Sequence, residues 1–453
     1  MNRAPDNNEK KQRPILLGVL VGSFVALVIT GWMVLSPSAF LHRQLAAASS
    51  SPAAPAAPPV ERPVRGRVLA ADTGAPLRGA SVWAGKEELR TDEEGRFTTP
   101  PIGLGAAFLV KSPGYELRRL VADKDEMTIS LPPRPVRAAY LTYFGVGDKT
   151  IRERVLDLVS KTELNAVVID VKGDRGMIPY RTQVPLALEV GAQGPVIIKD
   201  FEGLLAGLKA RGIYTIARIV TFKDNVLAQA KPEWAIIDTR TGKPWIDNEK
   251  LAWVDPFREE VWNYDIAIAK EAASKGFDEV QFDYVRFPTD GDLSQAVFPG
   301  ARKEPYSATL LRFLSAATRA LHPLHVNVSA DVFGLAATHD LGIGQVPRRL
   351  GAHLDAVYPM VYPSHYSPGE YGIQDPSAYP GRIVAHSLLD FRRALRGERT
   401  RIVPWLQDFS VGRTYTLIEV SDQIAAERRQ HAGGFLLWNP EGLYTLDALG
   451  AAP

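Results

Sequence analysis

The sequence predicts an α/β protein whose main part is a (β/α)8 TIM barrel, preceded by a small all-β sandwich domain and an N-terminal transmembrane helix. Three observations support this fold class. Residues 15–35 form one uncharged apolar stretch, residues 63–132 alternate short β-type runs with turn signals, and residues 136–453 alternate strand and helix patterns eight times. Eight successive βα repeats favour a parallel sheet closed into a barrel.

The N-terminal region predicts a membrane anchor. Within residues 1–14, Lys10, Lys11 and Arg13 precede an apolar stretch, residues 15–35, that is long enough to span a bilayer. The basic flank predicts a cytoplasmic N-terminus, so we expect a single-pass protein of the inner membrane whose bulk is periplasmic. A cleaved signal peptide is the alternative, with Ala46–Ala48 as its candidate cleavage site. Residues 36–62, rich in Ala, Pro and Ser, predict an extended linker.

Residues 63–132 predict a small β-sandwich, because turn signals such as Asp72-Thr73-Gly74 separate its short strands. The β-type runs are Val64–Leu69, Ala80–Ala84, Gly95–Thr99, Ala107–Lys111 and Met127–Leu131. This segment resembles the carboxypeptidase regulatory-like domain at Gly66, Pro76, Leu77, Gly79, Ala80, Val82, Thr91, Asp92, Gly95, Phe97, Gly114 and Tyr115. The resemblance implies a fold and a spacer or binding role. A solvated turn explains Asp92-Glu93-Glu94 better than a calcium loop, since the regular ligand pattern is missing.

The barrel prediction rests on regular alternation from Arg137 onward. Predicted strands are residues 138–144, 165–171, 213–219, 278–284, 324–331, 355–361, 401–407 and 434–439. Predicted helices are residues 148–162, 199–211, 258–275, 305–321, 345–351, 378–395 and 416–431, with a short last helix near Tyr444. A doubly wound open sheet is the alternative, but its glycine-rich phosphate loop is represented here only by Gly145-Val146-Gly147.

The bulk composition excludes several kinds of site. The chain has 453 residues and a formal net charge of +2, so no electrostatic footprint for nucleic acid is visible. It has no cysteine, which excludes disulfides, thiolate nucleophiles and cysteine-ligated zinc. No HExxH-like spacing links its histidines, so we predict neither a metal nor a cofactor.

The fourth predicted strand ends in the charged sequence Phe-Asp-Tyr-Val-Arg-Phe-Pro at residues 282–288. It places Asp283 at the C-terminal end of the strand, with Arg286 three residues later. That end of a barrel strand is where catalytic groups lie. An ion pair that only fixes a loop is the alternative.

Polar and aromatic side chains end the other predicted strands too, while the strand bodies are apolar. A merely structural barrel does not need this asymmetry, so we expect a polar and aromatic binding rim. The side chains predicted to contact substrate are Asp170, Lys172, Arg218, Arg286, Tyr358, Tyr362, His365, Trp405, Gln407, Asp408, Trp438 and Asn439.

Carboxylates beside aromatic platforms suit carbohydrate chemistry. Glycoside hydrolysis uses two carboxyl groups at one bond, one as acid and the other as nucleophile or base. Asp283 and Asp331 fall on adjacent predicted strands. We therefore predict Asp283 as nucleophile or base, with Arg218 or Arg286 as its electrostatic partner. Asp331 is the predicted general acid, which requires a raised pKa.

Several of these residues have a structural alternative. Asp170 and Lys172 are equally well explained as an internal salt bridge, and Trp405 and Trp438 as core residues. Asp408 is equally well explained as a helix-start residue. His365 follows a strand in a loop, which favours substrate contact over a core position.

The barrel region also resembles a known family through several long motifs. They are NAVVIDVKGDRG at 165–176, WVDPFREEVWNYDIAIAKEA at 253–272, GFDEVQFDYVRFP at 276–288, SADVFG at 329–334, YPMVYPSHY at 358–366, PWLQDF at 404–409 and GFLLWNP at 434–440. Residues 136–449 thereby resemble a bacterial family of glycosyl hydrolase domains related to the alpha-amylase-type barrels. The resemblance implies a barrel hydrolase acting on a polysaccharide. Amylase-like enzymes use Glu as the acid after strand five, whereas this chain has Asp331.

Two functional hypotheses follow. The first is an extracytoplasmic glycoside hydrolase that acts on a polysaccharide or oligosaccharide through two carboxylates. The second is a non-catalytic glycan-binding or cell-envelope scaffold protein that keeps the barrel groove. Loss of turnover in an Asp283→Asn variant distinguishes the first from the second.

Overall fold

The computed structural model describes residues 61–452. The predicted cytoplasmic N-terminus, the predicted transmembrane helix at 15–35 and nearly all of the predicted linker lie outside these residues. Within residues 61–452, no helix is both long and apolar enough to cross a membrane.

A two-sheet β-sandwich precedes the barrel. Its strands are Glu61–Ala70, Ser81–Ala84, Glu87–Arg90, Arg96–Gly103, Ala107–Lys111, Arg118–Val121 and Glu126–Leu131. The first, fourth and seventh strands form one sheet, and the other four form the second. Buried apolar side chains, among them Val68, Val82 and Val110, fill the space between them. The two strands missing from the sequence prediction, Glu87–Arg90 and Arg118–Val121, are edge strands without a buried alternating face.

Eight parallel strands form the barrel. Their bounds are Val136–Leu141, Ala166–Lys172, Tyr214–Val220, Glu279–Asp283, Asn327–Phe333, Ala356–Val361, Trp405–Gln407 and Gly434–Trp438, called here the first to eighth barrel strands. Each strand pairs with its sequence neighbour, and the eighth pairs with the first, so the sheet is closed. This confirms the predicted barrel.

Helices surround the strands, and apolar side chains fill the layer between. The α-helices of the described residues are Tyr143–Gly147, Lys149–Lys161, Pro185–Glu189, Phe201–Ala210, Asn225–Ala230, Glu259–Lys275, Tyr306–Leu321, Pro347–Gly351, Pro380–Ala394 and Leu417–Arg429. All seven helices predicted between the strands are present, with ends within two residues of the prediction. The predicted last helix is instead a 3-10 turn at Leu446–Ala448.

Three strand ends differ from the prediction for identifiable reasons. The first strand stops at Leu141, because Thr142 caps a short helix by accepting a hydrogen bond from the Gly145 N–H at 2.9 Å. The fifth begins only at Asn327, because a 3-10 turn at His322–Leu324 and the left-handed conformation of His325 precede it. The predicted seventh strand is interrupted after Ile402 and resumes at Trp405, since Pro404 has no N–H to donate to a neighbouring strand.

The N-terminal ends of the strands are polar as well, so the expected restriction of polar groups to the C-terminal ends is wrong. Glu279, the first residue of the fourth strand, is fully buried. It accepts hydrogen bonds from Tyr214 at 2.9 Å and Ser329 at 2.6 Å, and Arg401 lies 3.5 Å from it. The network neutralises a carboxylate inside the barrel.

The β-sandwich packs against this N-terminal face of the barrel. Lys111 of the sandwich donates to the Val326 carbonyl at 2.7 Å and lies 3.8 Å from the Asp355 carboxylate. Asp355 also accepts from the Val328 N–H and pairs with His322, both at 2.9 Å. The sandwich therefore leaves the C-terminal face of the barrel free for a site.

Candidate active site

Arg218 is the centre of the polar cluster at the C-terminal face. It extends from the third barrel strand and is almost completely buried. Its Nη1 donates to Asp170 Oδ1 at 2.7 Å, while its Nε and Nη2 donate to Asp283 Oδ2 at 3.0 and 2.5 Å. Both carboxylates hold the pKa of Arg218 well above its ordinary value in spite of burial. A permanent positive charge therefore lies between two strand-end carboxylates.

Asp283 is positioned by the sharp backbone turn that follows it. Tyr284 has a positive φ of 52°, uncommon for a residue other than glycine. This conformation returns the Tyr284 N–H to Asp283 Oδ1, at 2.5 Å. Asp283 thus accepts three hydrogen bonds. Of the two arginines predicted as its partner, Arg218 is the one that pairs with it.

Asp331, on the adjacent fifth strand, is fully enclosed. Its Oδ1 accepts hydrogen bonds from Gln281 Nε2 at 2.9 Å and Trp405 Nε1 at 2.7 Å. Burial, followed by the charge of Asp283, raises the pKa of Asp331 well above its usual range. Because both donors use Oδ1, the retained proton is best placed on Oδ2.

Asp283 and Asp331 lie at the C-terminal ends of the adjacent fourth and fifth barrel strands, where the charge of Asp283 helps to raise the pKa of Asp331. Adjacent carboxyl groups share a proton rather than both ionise. The expected separations for glycosidases are about 5–5.5 Å for retention and about 6.5–9.5 Å for inversion. Side chains that extend from adjacent strands can reach either of these separations.

Aromatic rings form one wall beside the acidic pair. Trp438 stacks on Tyr140 with ring centroids 4.1 Å apart, and Trp405 meets Trp438 edge-on at 5.3 Å. The Arg218 guanidinium lies 5.3 Å from the Trp438 ring centroid. Trp405 is buried, as its structural alternative required, but its indole also holds Asp331. It therefore supports the acidic pair directly.

The outer rim is formed by the segment after the sixth strand. Tyr362 meets the rings of His365 and Phe409 edge-on, both at 5.5 Å. His365 is exposed, in a 3-10 turn at Pro363–His365. Its position at the C-terminal face is compatible with substrate contact.

Lys172 lies away from the acidic pair, in a sealed ion cluster behind the sheet. Its Nζ is 2.7 Å from both Asp224 and Asp265, and all three side chains are inaccessible to solvent. Burial raises the pKa of Asp265 to about 7. The alternative of an Asp170–Lys172 salt bridge is wrong, because Asp170 pairs with Arg218. Lys172 is therefore not accessible to a substrate.

Tyr358 and Gln407 also have internal partners. The Tyr358 hydroxyl donates to Glu279 at the opposite end of the barrel, so the structure does not bring it to the acidic pair. The Gln407 amide accepts from the Ser364 N–H at 3.1 Å and donates to the Phe409 carbonyl at 2.9 Å. It positions the rim loops.

Asp408 and Asn439 fix the C-terminal segment. The Asp408 carboxylate accepts from the Thr445 N–H at 2.8 Å and its hydroxyl at 2.7 Å. Asn439 donates to the Asp408 and Leu443 carbonyls. The helix-start alternative for Asp408 is wrong, because Thr416 caps the following helix.

Arg286 lies on the same face in a cage of aromatic rings. Its guanidinium carbon is 4.9 Å from the ring centroids of Trp253 and Phe333, and 5.0 Å from that of Tyr284. It is 7% exposed. Among residues 61–452 it forms no salt bridge, in contrast to Arg218.

Two residues of the cluster were missing from the predicted site. Tyr140 donates its hydroxyl proton to Asp170 at 2.7 Å, and Gln281 donates to Asp331. Strand alternation carried a signal for Gln281, since it shares a strand face with Asp283. Within residues 61–452, no group of three or more His, Asp or Glu side chains is arranged to hold a metal ion.

The family comparison matches most of the barrel. Residues 138–444 match a family model described as "Putative glycosyl hydrolase domain". No curated protein matches the chain.

Solved structures resemble the chain to different degrees. A hypothetical protein from Ruminiclostridium thermocellum is 39% identical, with a TM-score of 0.39, over 43% of this chain and 97% of that one. The PgaB (BpsB) glycoside hydrolase domain from Bordetella bronchiseptica is 14% identical, with a TM-score of 0.50, over 68% of this chain and 95% of that one. The second likeness supports the fold.

Proposed function

Because the chain belongs to the glycosyl hydrolase domain family that its barrel matches, we propose that it cleaves a polysaccharide or oligosaccharide with Asp331 as acid and Asp283 as the second carboxylate. The enzyme class, a glycoside hydrolase, follows from the family. The assignment of residues rests on one observation: at the C-terminal face of the barrel, a carboxyl group with a raised pKa lies on the strand next to a carboxylate held by arginine.

The proton on Asp331 Oδ2 is the one available to the leaving oxygen. Gln281 and Trp405 fix Oδ1, so a glycosidic oxygen that replaces Asp283 as the acceptor of the Oδ2 proton needs no rearrangement of those bonds. The C–O bond breaks as the proton is transferred, and positive charge develops on the sugar. Entry of the glycosidic oxygen also separates the two carboxyl groups, which makes the space that attack on the sugar carbon requires.

Asp283 then faces the developing positive charge. Arg218 binds its Oδ2, while Oδ1 is held only by the Tyr284 N–H. Oδ1 is therefore the atom we assign to attack on the sugar carbon or to activation of water. Trp438, Tyr362 and His365 provide faces against which a sugar ring packs.

The test uses the full-length chain against a panel of envelope and storage polysaccharides. The wild type is expected to release reducing ends from at least one of them. Asp283→Asn and Asp331→Asn should each lower that rate about a hundredfold to ten-thousandfold. Asp390→Asn, a change on the outer helix Pro380–Ala394, is the matched control and should keep the wild-type rate. No cleavage of any glycan, or full activity in both active-site variants, would refute the proposal.

A glycan-binding barrel without catalysis is the second candidate function. It is favoured by one observation, the burial of Asp283 and Asp331, which are only 4% and 1% exposed and so are hardly accessible to a glycosidic bond. It predicts glycan binding by the wild type and by both Asn variants, with no release of products.

The same proposal includes the location and the domain roles. The apolar stretch at 15–35 with its basic flank supports a membrane anchor and a periplasmic barrel. The carboxypeptidase regulatory-like pattern supports a spacer role for residues 63–132. Membrane fractionation of cells expressing the full chain, with protease added to spheroplasts, tests both orientation and anchoring.

A further inference from the structure

Arg286 has hydrogen-bonding capacity that the protein does not use. Its Nη1 donates to the Phe287 carbonyl and to Thr289 Oγ1, both at 3.2 Å. Its Nε and Nη2 have no acceptor among residues 61–452, yet neither nitrogen is sealed from solvent. One edge of the guanidinium is thus open, and it presents the two parallel N–H groups that match a carboxylate.

The charge of Arg286 is also uncompensated at short range. Burial lowers the pKa of its guanidinium. The adjacent Tyr284 opposes this shift, and Asp283, Asp290 and Asp247 do so only from beyond salt-bridge distance. The neighbouring cation Lys223 is paired with Asp247 at 3.3 Å and Glu249 at 2.9 Å. A buried arginine without a counter-ion is unfavourable, and an incoming anion relieves that cost.

The rings around Arg286 are held in place. Trp253 Nε1 donates to Asp247 Oδ2 at 3.0 Å, and Asp247 Oδ1 accepts the Leu251 N–H at 3.0 Å. Tyr284 lies between two cations, with Lys223 Nζ 5.1 Å from its ring centroid. The guanidinium is therefore fixed before any ligand arrives, and its contact ring Tyr284 directly follows Asp283 in the chain.

We propose that Arg286 binds an anionic group on the sugar, a carboxylate or a sulfate ester, and that the substrate of this barrel is an acidic glycan. This rests on the proposed function for its location beside the reacting bond. Arg218 does not compete for the role, because its donors are occupied by Asp170 and Asp283. Neutral glycans would leave the open edge of Arg286 unpaired, which selects against them.

The experiment measures binding by the full-length chain, whether or not it cleaves the probe. Probes are oligosaccharides of galacturonate, of mannuronate with guluronate, and of sulfated galactose, each with its carboxyl-reduced or desulfated neutral counterpart. At least one acidic probe should bind more tightly than its neutral counterpart. Arg286→Gln should weaken that binding roughly tenfold to hundredfold and leave the neutral probe nearly unchanged. Arg286→Lys should recover part of the loss, because the charge remains but the two-pronged geometry does not.

Arg302→Gln is the matched control. Arg302 is exposed in the loop before the helix Tyr306–Leu321 and pairs with Glu259 at 3.2 Å, so its loss should not change binding. The carboxylate and sulfate probes identify which anion is preferred. Equal binding of acidic and neutral probes, preference for neutral ones, or equal losses on both in Arg286→Gln overturns the proposal. These outcomes are independent of turnover in Asp283→Asn and Asp331→Asn, which tests the proposed function.

Discussion

Asp331 and Asp355 are both fully buried, one at the C-terminal face of the barrel and the other at the N-terminal face, and their pKa values shift in opposite directions. Burial and the neighbouring Asp283 raise the pKa of Asp331 well above its usual range. Burial also acts on Asp355, but Lys111, His322 and Arg399 lower its pKa well below that range. Both side chains are equally buried, so the opposite pKa shifts result from the charges of their neighbours.

This comparison separates two uses of buried charge. Around Asp355, cations from the sandwich and the barrel converge on one carboxylate, which fastens the two parts together. Around Asp331, a second carboxyl group takes the place of a cation, and a proton is kept. The first arrangement stabilises the fold, whereas the second keeps a proton on the residue that we propose as the acid.

The largest expected effect comes from Asp331→Asn. Removal of the proton donor should lower turnover about a hundredfold to ten-thousandfold. Stability at pH 8 should not decrease, because the amide keeps the shape and removes an unfavourable acidic contact. Initial rates of reducing-end release and thermal unfolding of the same sample test both statements. A large loss of stability would instead assign Asp331 to the fold.

The matched change at the other face is Asp355→Asn. It leaves Lys111, His322 and Arg399 without their carboxylate, so the free energy of unfolding should fall by about 3–5 kcal/mol. Urea unfolding of the purified chain measures the change. A decrease no larger than that of Asp331→Asn would remove the distinction between the two faces.

The sequence predicted the barrel well because repeated apolar strands and amphipathic helices carry the fold signal. It also predicted that Asp283 and Asp331 share a face, since strand alternation and adjacency place them together. The sequence could not show that Lys172 turns to Asp224 and Asp265 behind the sheet. That outcome depends on a local irregularity, visible where the pairing register shifts between Arg218 and Ile219.

The fastening network at the N-terminal face was also invisible in the sequence. Asp355 and Lys111 are 244 positions apart, and no local pattern links them. Asp408 and Asn439 were predicted at the rim because strand ends were expected to serve substrate. The polar groups of Asp408 and Asn439 instead bind Thr445 and Leu443, and thereby hold the C-terminal segment. The position of a residue at a strand end predicts where its side chain lies, but not which group that side chain contacts.

The pH dependence of stability should divide between the two aspartates. Asp355 has a lowered folded-state pKa, so its contribution is present above the unfolded value of about 3.9 and is lost as pH falls through the folded value. Asp331 has a raised folded-state pKa, so stability decreases as pH rises from about 3.9 towards that value. Unfolding free energies of the wild type, Asp355→Asn and Asp331→Asn between pH 3 and 9 measure both slopes. The acid-side slope should flatten in the first variant and the opposing slope in the second.

The smallest effect is expected at the cage of Arg286. Trp253→Phe keeps an aromatic ring beside the guanidinium but removes the hydrogen bond to Asp247. The weaker cation–π contact and the freed indole partner should reduce binding of an acidic oligosaccharide by about threefold to tenfold. Unfolding free energy should fall by about 1–3 kcal/mol, because the smaller ring leaves a cavity at a buried position and Asp247 loses one donor. Titration calorimetry on the acidic probe and its neutral counterpart distinguishes an effect on Arg286 from a general effect on the C-terminal face. A loss of equal size on both probes would mean that Trp253 supports the fold of the C-terminal face and not the orientation of Arg286.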